Sequence, residues 1–139
     1  MPARRDPRRG GPPEADLYRY ELPGGWEVLA GRTARDNELL SLKLARPNDW
    51  WFHVKGMPGS HVVLRVPAGG PEPDRATVEA AAAVAAWHCK MREARQVPVT
   101  ATRARYVTKA RGEPVGTVNV RKETVVKVRP GLPEGNPGA

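Results

Sequence analysis

The sequence predicts an α+β domain: a mostly antiparallel, curved sheet packed on one long alanine-rich helix plus a shorter helix. Three observations carry this. Short apolar or alternating stretches bounded by Gly and Pro turns outnumber the helical ones. Only two stretches, near residues 34 and 75, open with a helix-capping residue. The two helices are inserted among strands instead of alternating with them, which argues against a parallel βαβ sheet.

The elements follow in order. Leu17–Leu22 and Trp26–Ala30 flank Pro23-Gly24-Gly25, a hairpin whose turn needs glycine. Thr33 caps a helix over 34–45, with Asp36 at its third position and Leu39, Leu40 and Leu44 as its apolar stripe. Pro47-Asn48-Asp49 ends it. Trp50–Lys55 and His61–Val66 are strands around the turn Gly56-Met57-Pro58-Gly59. Alternation sends Trp51, His53 and Lys55 to one face and Trp50 and Phe52 to the other. Asp74 caps a second helix over 75–95, whose Ala80–Ala86 run lets it lie close against a sheet. Strands are then expected at 97–102, 103–109, 115–120 and 124–129.

Residues 1–15 and 130–139 are rich in Pro, Gly and charge, and read as mobile tails around a folded unit at 16–129. A single cysteine, Cys89, excludes an internal disulfide framework and a multi-cysteine zinc module. The longest apolar run, Ala80–Trp87, is too short to span a bilayer, and no secretory leader pattern opens the chain, so a cytoplasmic location without membrane contact is expected.

The 139 residues carry 23 Lys+Arg against 15 Asp+Glu, a formal charge of +8. Residues 90–129 hold 11 of the basic residues and three of the acidic ones, so the remainder, with 12 of each, is neutral. A polyanion is the natural partner for such a segment, the alternative being a merely solubilising surface. Within an expected strand at 103–109, Arg103, Arg105 and Lys109 would share a face. Lys127 and Arg129 would do the same in the last strand. Arg111 and the Arg121-Lys122 tip add further charge.

The densest chemistry lies in Asp49-Trp50-Trp51-Phe52-His53-Val54-Lys55, followed by Ser60-His61. A metal-dependent or Ser/His hydrolase centred on Asp49, His53, Ser60 and His61 is one reading. Ser60 and His61 are adjacent, however, and point to opposite faces in extended backbone. No HxxxH, HxH or CxxC spacing supports a metal, and no glycine-rich phosphate loop occurs. Structural histidines beside packed aromatics are the alternative, and no metal or cofactor is expected.

Four stretches resemble the NFACT-R domain, the RNA-binding module of the NEMF/RqcH family, whose bacterial members carry the label fibronectin-binding proteins. They are Gly31-Arg32 with Asp36-Asn37-Glu38-Leu39-Leu40; Asp49-x-Trp51-Phe52-His53 with Pro58-Gly59-Ser60-His61-Val62-Val63; Glu79-Ala80-Ala81; and Val107-x-Lys109 with Gly112-x-Pro114. Asp36 and Glu38 depart from the family's Gln and Asp, Pro114-Val115-Gly116 from its Pro-Gly, and Trp87-His88-Cys89 from its smaller residues. The resemblance covers 17–129 and implies a non-enzymatic, stand-alone RNA-binding module. Its partner would be tRNA or ribosomal RNA, with the large ribosomal subunit as a further partner and ribosome-associated quality control as the setting. A DNA-binding module is the rival within nucleic-acid binding. Arg103, Arg105, Lys109, Arg111, Lys127 and Arg129 are the expected phosphate contacts. Asp49, Trp51, His53, Lys55, Ser60 and His61 are the expected adjoining polar surface.

Overall fold

The structure is a computed structural model and describes residues 15–133. Residues 1–14 and 134–139, most of the two expected tails, lie outside it. The strands are β1 (Leu17–Leu22), β2 (Trp26–Gly31), β3 (Trp50–Val54), β4 (Val62–Leu64), β5 (Val97–Arg103), β6 (Val107–Thr108), β7 (Asn119–Val120) and β8 (Thr124–Val128). The helices are α1 (Ala34–Leu39), continued by a π-helical turn at Leu40–Leu44, and α2 (Arg75–Trp87). Six strands form one sheet in the order β1-β2-β4-β3-β5-β8, every neighbouring pair antiparallel, and β6 and β7 make a separate two-stranded ribbon. The class is therefore α+β.

The β1–β2 hairpin forms as its glycines predict. Gly24 and Gly25 hold φ of 94° and 83°, and the Gly25 N–H closes the turn on the Leu22 carbonyl. The sheet is covered fully on one face and in part on the other. On one, Phe52, Val54, Val28, Val62 and Val99 pack against Ala81, Ala82, Ala85 and Ala86 of α2. Alanine at these places brings the helix axis close to the strands. On the other face, Leu29, Trp51 and Val63 pack against Leu40 of the π turn and Val107 of the ribbon. That second cluster contains no residue of β5 or β8, so this side of the sheet is only half covered.

Four elements differ from expectation. The helix expected to reach residue 95 ends at Trp87, because His88 and Cys89 are claimed by tertiary contacts. Cys89 forms a β-bridge with Gly59, the His88 carbonyl accepts the Ser60 N–H, and His88 Nε2 shares a hydrogen bond of 2.7 Å with the Tyr20 hydroxyl. The helix expected over 34–45 changes character at Leu40. There the Ala45 N–H reaches back five residues to the Leu40 carbonyl, which buries Leu40 and Ser41 together. The strand expected at 103–109 is broken by a 3₁₀ turn, Ala104–Tyr106, pinned by Ala104 N–H on the Asp49 carbonyl and Arg105 N–H on the Pro47 carbonyl. The strand expected at 115–120 shrinks to β7. At the C-terminal end, Gly131 donates its N–H to the Ala83 carbonyl and Leu132 packs on the α2 side of the core.

Candidate nucleic-acid interface

The motif residues divide between a buried tie and an open surface. Asp49 is 1% exposed. Its carboxylate accepts the Arg46 and Val66 N–H groups at 2.9 and 2.8 Å and the Arg65 guanidinium at 3.1 Å. Arg65 also donates to the Leu44 carbonyl. The side chain thereby fastens the chain entering β3 to the chain leaving β4, and its lone pairs are used in doing so. Ser60 donates its hydroxyl to the Gly31 carbonyl at 2.7 Å, away from either motif histidine.

Trp51, Ser41 and His61 form a buried chain of hydrogen bonds. Trp51 Nε1–H donates to Ser41 Oγ at 2.8 Å, so the single hydroxyl proton of Ser41 is free for His61 Nδ1 at 2.7 Å. His61 is thus neutral and protonated on Nε2, a tautomer assigned from the network. Burial pushes its pKa from 6.5 down to about 4, and the His53 ring, edge-on at 5.3 Å between centroids, adds to the effect. Burial also lowers the pKa of His53, whose ring stacks beside Trp51. Asn37 accepts the His61 N–H through Oδ1, and a Cβ on Gly31 would run into that Asn37 side chain. Gly31→Ala is expected to cost about 1–3 kcal/mol in chemical denaturation, the usual penalty of overpacking. An unchanged midpoint would show that Asn37 can move aside.

The basic residues are scattered by the broken strand, so the expected row of Arg103, Arg105 and Lys109 on one strand face does not exist. Arg103 lies over the Trp50 ring at 4.4 Å and donates to the Asn48 carbonyl and to Glu72. Arg105 donates to the Pro47 carbonyl and the Asn48 side chain. Lys109 is paired with Glu38 at 2.6 Å, and the Gly116 N–H donates to the same oxygen. The Lys109 ammonium, with Gly116, holds the Glu38 carboxyl below its usual pKa. Arg111 is exposed on the turn closed by Glu113 N–H on the Ala110 carbonyl. Lys127 and Arg129 are exposed on and just after β8.

What does come together is a strip on the uncovered half of the sheet. Register places His53 opposite Thr100 and Thr100 opposite Val125, a row across β3, β5 and β8. One step along, the Lys55 N–H donates to the Pro98 carbonyl, and Pro98 lies opposite Lys127. His53 and Thr100 are half-buried, while Lys55, Val125 and Lys127 are exposed. The strip combines two ammonium groups, an imidazole, a hydroxyl and an apolar contact, with no carboxylate among them. Lys55 comes from the aromatic–histidine motif and Lys127 from the basic segment, so the fold joins two features far apart in the chain. Thr100 and Val125 carried no signal of their own, since strand pairing alone gives them a role.

Among the described residues no group of three or more His, Cys, Asp or Glu could hold a metal, and no helix is long and apolar enough to cross a membrane. The sequence profile of the NFACT protein RNA binding domain matches residues 17–122. The chain belongs to this family. The domain is 39% identical over 114 residues to the Rqc2 homolog RqcH of Bacillus subtilis (strain 168), covering 82% of this chain and 19% of that protein. It is 33% identical over 115 residues to the Rqc2 homolog RqcH of Streptococcus pneumoniae serotype 2, covering 82% and 20%. Among solved structures it resembles the C-terminal part of the fibronectin/fibrinogen-binding protein from Streptococcus suis. The TM-score is 0.75 at 31% identity, over 83% of this chain and 45% of that one. The chain therefore spans about a fifth of the length of the curated relatives it matches.

The departures noted in the domain's motifs acquire structural roles. Asp36, in place of Gln, accepts the Thr33 hydroxyl and the Asp16 N–H, completing the α1 cap and tying down the start of β1. Glu38, in place of Asp, reaches Lys109 and Gly116. His88 supplies the ring that Tyr18 stacks upon at 4.5 Å.

Proposed function

We propose that this domain binds RNA across the open strip of its sheet, with Lys55 and Lys127 on phosphates and His53, Thr100 and Val125 against sugar and base. One observation carries the reading: the antiparallel register aligns the domain's signature residues His53 and Lys55 with the exposed edge strand that bears Lys127, and none of the five residues of the strip is acidic. Membership in the RNA-binding family supports it. Arg111 and Arg129 extend the positive surface beyond the strip, with Arg105 at its far end. Arg103 and Lys109, already paired with carboxylates, shape the scaffold. The binding is non-enzymatic and needs no cofactor. Ser60 is hydrogen-bonded to a carbonyl and Asp49 to backbone amides, which leaves a hydrolase without a nucleophile–base pair.

In this reading the RNA is tRNA or ribosomal RNA, with the large ribosomal subunit as the larger partner and cytoplasmic ribosome-associated quality control as the setting, and the likeness to RqcH supports it. Lys55 and Lys127 make no ion pair among the described residues, so reversing them leaves the fold intact. Lys55→Glu combined with Lys127→Glu is expected to weaken RNA binding on the order of a hundredfold and to reduce the salt slope by about two. Fluorescence anisotropy against tRNA, ribosomal RNA fragments and duplex DNA over a salt series measures both. A folded double variant with unchanged affinity would remove the strip from the interface. Equal affinity for duplex DNA at matched charge would replace RNA with nucleic acid in general.

A further inference from the structure

Beyond the strip, Tyr106 stands out. It occupies the 3₁₀ turn after β5, is half-buried, belongs to neither apolar cluster, and its hydroxyl makes no hydrogen bond among the described residues. The guanidinium groups of Arg105 and Arg121 lie 5.9 and 5.8 Å from its ring centroid, within cation–π range. Two like charges around one ring repel each other, yet neither is paired with a carboxylate among the described residues.

Both arginines are held in place by the fold. Arg105 is fixed by its Nε and one terminal nitrogen on Pro47 and Asn48, leaving the other terminal nitrogen open. Arg121 is fixed through its backbone: its N–H donates to the Tyr106 carbonyl at 3.1 Å, and its carbonyl accepts the Thr102 hydroxyl at 2.7 Å. Thr102 is two residues from Thr100 on the same strand face, so the group adjoins the end of the open strip.

We propose that Tyr106, Arg105 and Arg121 form a stacking site for one unpaired RNA nucleotide: the Arg121 side chain, which no hydrogen bond holds among the described residues, swings off the tyrosine ring, the base takes its place, and the flanking phosphates meet the two guanidinium groups. A base stacked on an aromatic ring, with arginine side chains beside it to meet the backbone, is how single strands are gripped without sequence readout. A duplex keeps its bases stacked inside and cannot use the ring. The site rests on the RNA-binding reading above and names the class of RNA it selects: single-stranded or looped.

The test compares a single-stranded oligouridine with an RNA duplex of equal charge, using anisotropy at fixed salt. Tyr106→Leu keeps apolar bulk and removes the aromatic face. It is expected to weaken the single strand about tenfold, with the salt slope and the duplex affinity unchanged. Tyr106→Phe is expected to restore binding, and Arg105→Ala or Arg121→Ala to lower the slope by about one each. Independently of any variant, ultraviolet crosslinking of 4-thiouridine RNA to the unaltered protein is expected to mark the peptide containing Tyr106. If Tyr106→Leu binds the single strand normally, or the crosslinks fall elsewhere, the stacking site is wrong while RNA binding stands. If the unaltered protein binds neither RNA, both readings fall.

Discussion

Replacing Asp49 with alanine is expected to lower the stability of the domain by about 3–5 kcal/mol, the range seen when one partner of a buried ion pair is removed. The side chain is 1% exposed, and its two oxygens serve two backbone amides and the Arg65 guanidinium at once. Without them the Val66 amide loses its acceptor and a half-buried Arg65 loses its main counter-charge. Asp49→Asn retains one acceptor oxygen and is expected to cost less. Urea denaturation followed by tryptophan fluorescence measures the difference, and RNA affinity extrapolated to the folded fraction checks where Asp49 acts. A variant as stable as the parent that has lost RNA binding would turn Asp49 from a tie into a contact.

The second large effect is on acid stability. His61 is buried, and its Nδ1 accepts the Ser41 hydroxyl, so the neutral ring is the form the folded state holds. Its pKa is about 4 when folded, against 6.5 for the ordinary side chain. The unfolded chain therefore binds more protons between those values, and stability falls as the pH falls through that window. The stabilisation is fully present above about pH 6.5 and gone below about pH 4, and the difference from His61 alone is about 3 kcal/mol. His88, lowered to about 4 chiefly by burial and next by Arg92, acts in the same direction. Denaturation midpoints taken between about pH 7 and pH 4 are expected to drop steeply, and His61→Gln to flatten the profile. A variant with the parent's full pH dependence would assign the effect to other groups.

Much of the fold was legible because it rests on local chemistry. Thr33 and Asp36 cap α1 as their spacing predicts. The glycines at 24 and 25 take positive φ. Alternation correctly divided Trp51 from Phe52, which lie in separate cores. The four motif stretches were enough for the family. The candidate site was less legible. Arg105 finds its partner 57 residues away and Lys109 finds its own 71 residues away. Strand periodicity could not show that the 103–109 segment would break into a 3₁₀ turn, since Ala104 and Arg105 are pinned by the loop before β3. Ser41 gave no hint of its role, which depends on a π turn swinging it under the sheet.

Residue types, their spacing and their counts were enough to establish an antiparallel α+β domain of an RNA-binding family with its net positive charge in one segment. Those properties follow from residue type, spacing and counting, which need no long-range geometry. Which of those charges are free depends on the folded chain. The Arg103 and Lys109 cations are bound to Glu72 and Glu38, whereas Lys55 and Lys127 reach the open strip. Strand register is the cause. An antiparallel ladder sets side chains from distant segments a few ångströms apart, and a single irregular turn redirects every side chain after it.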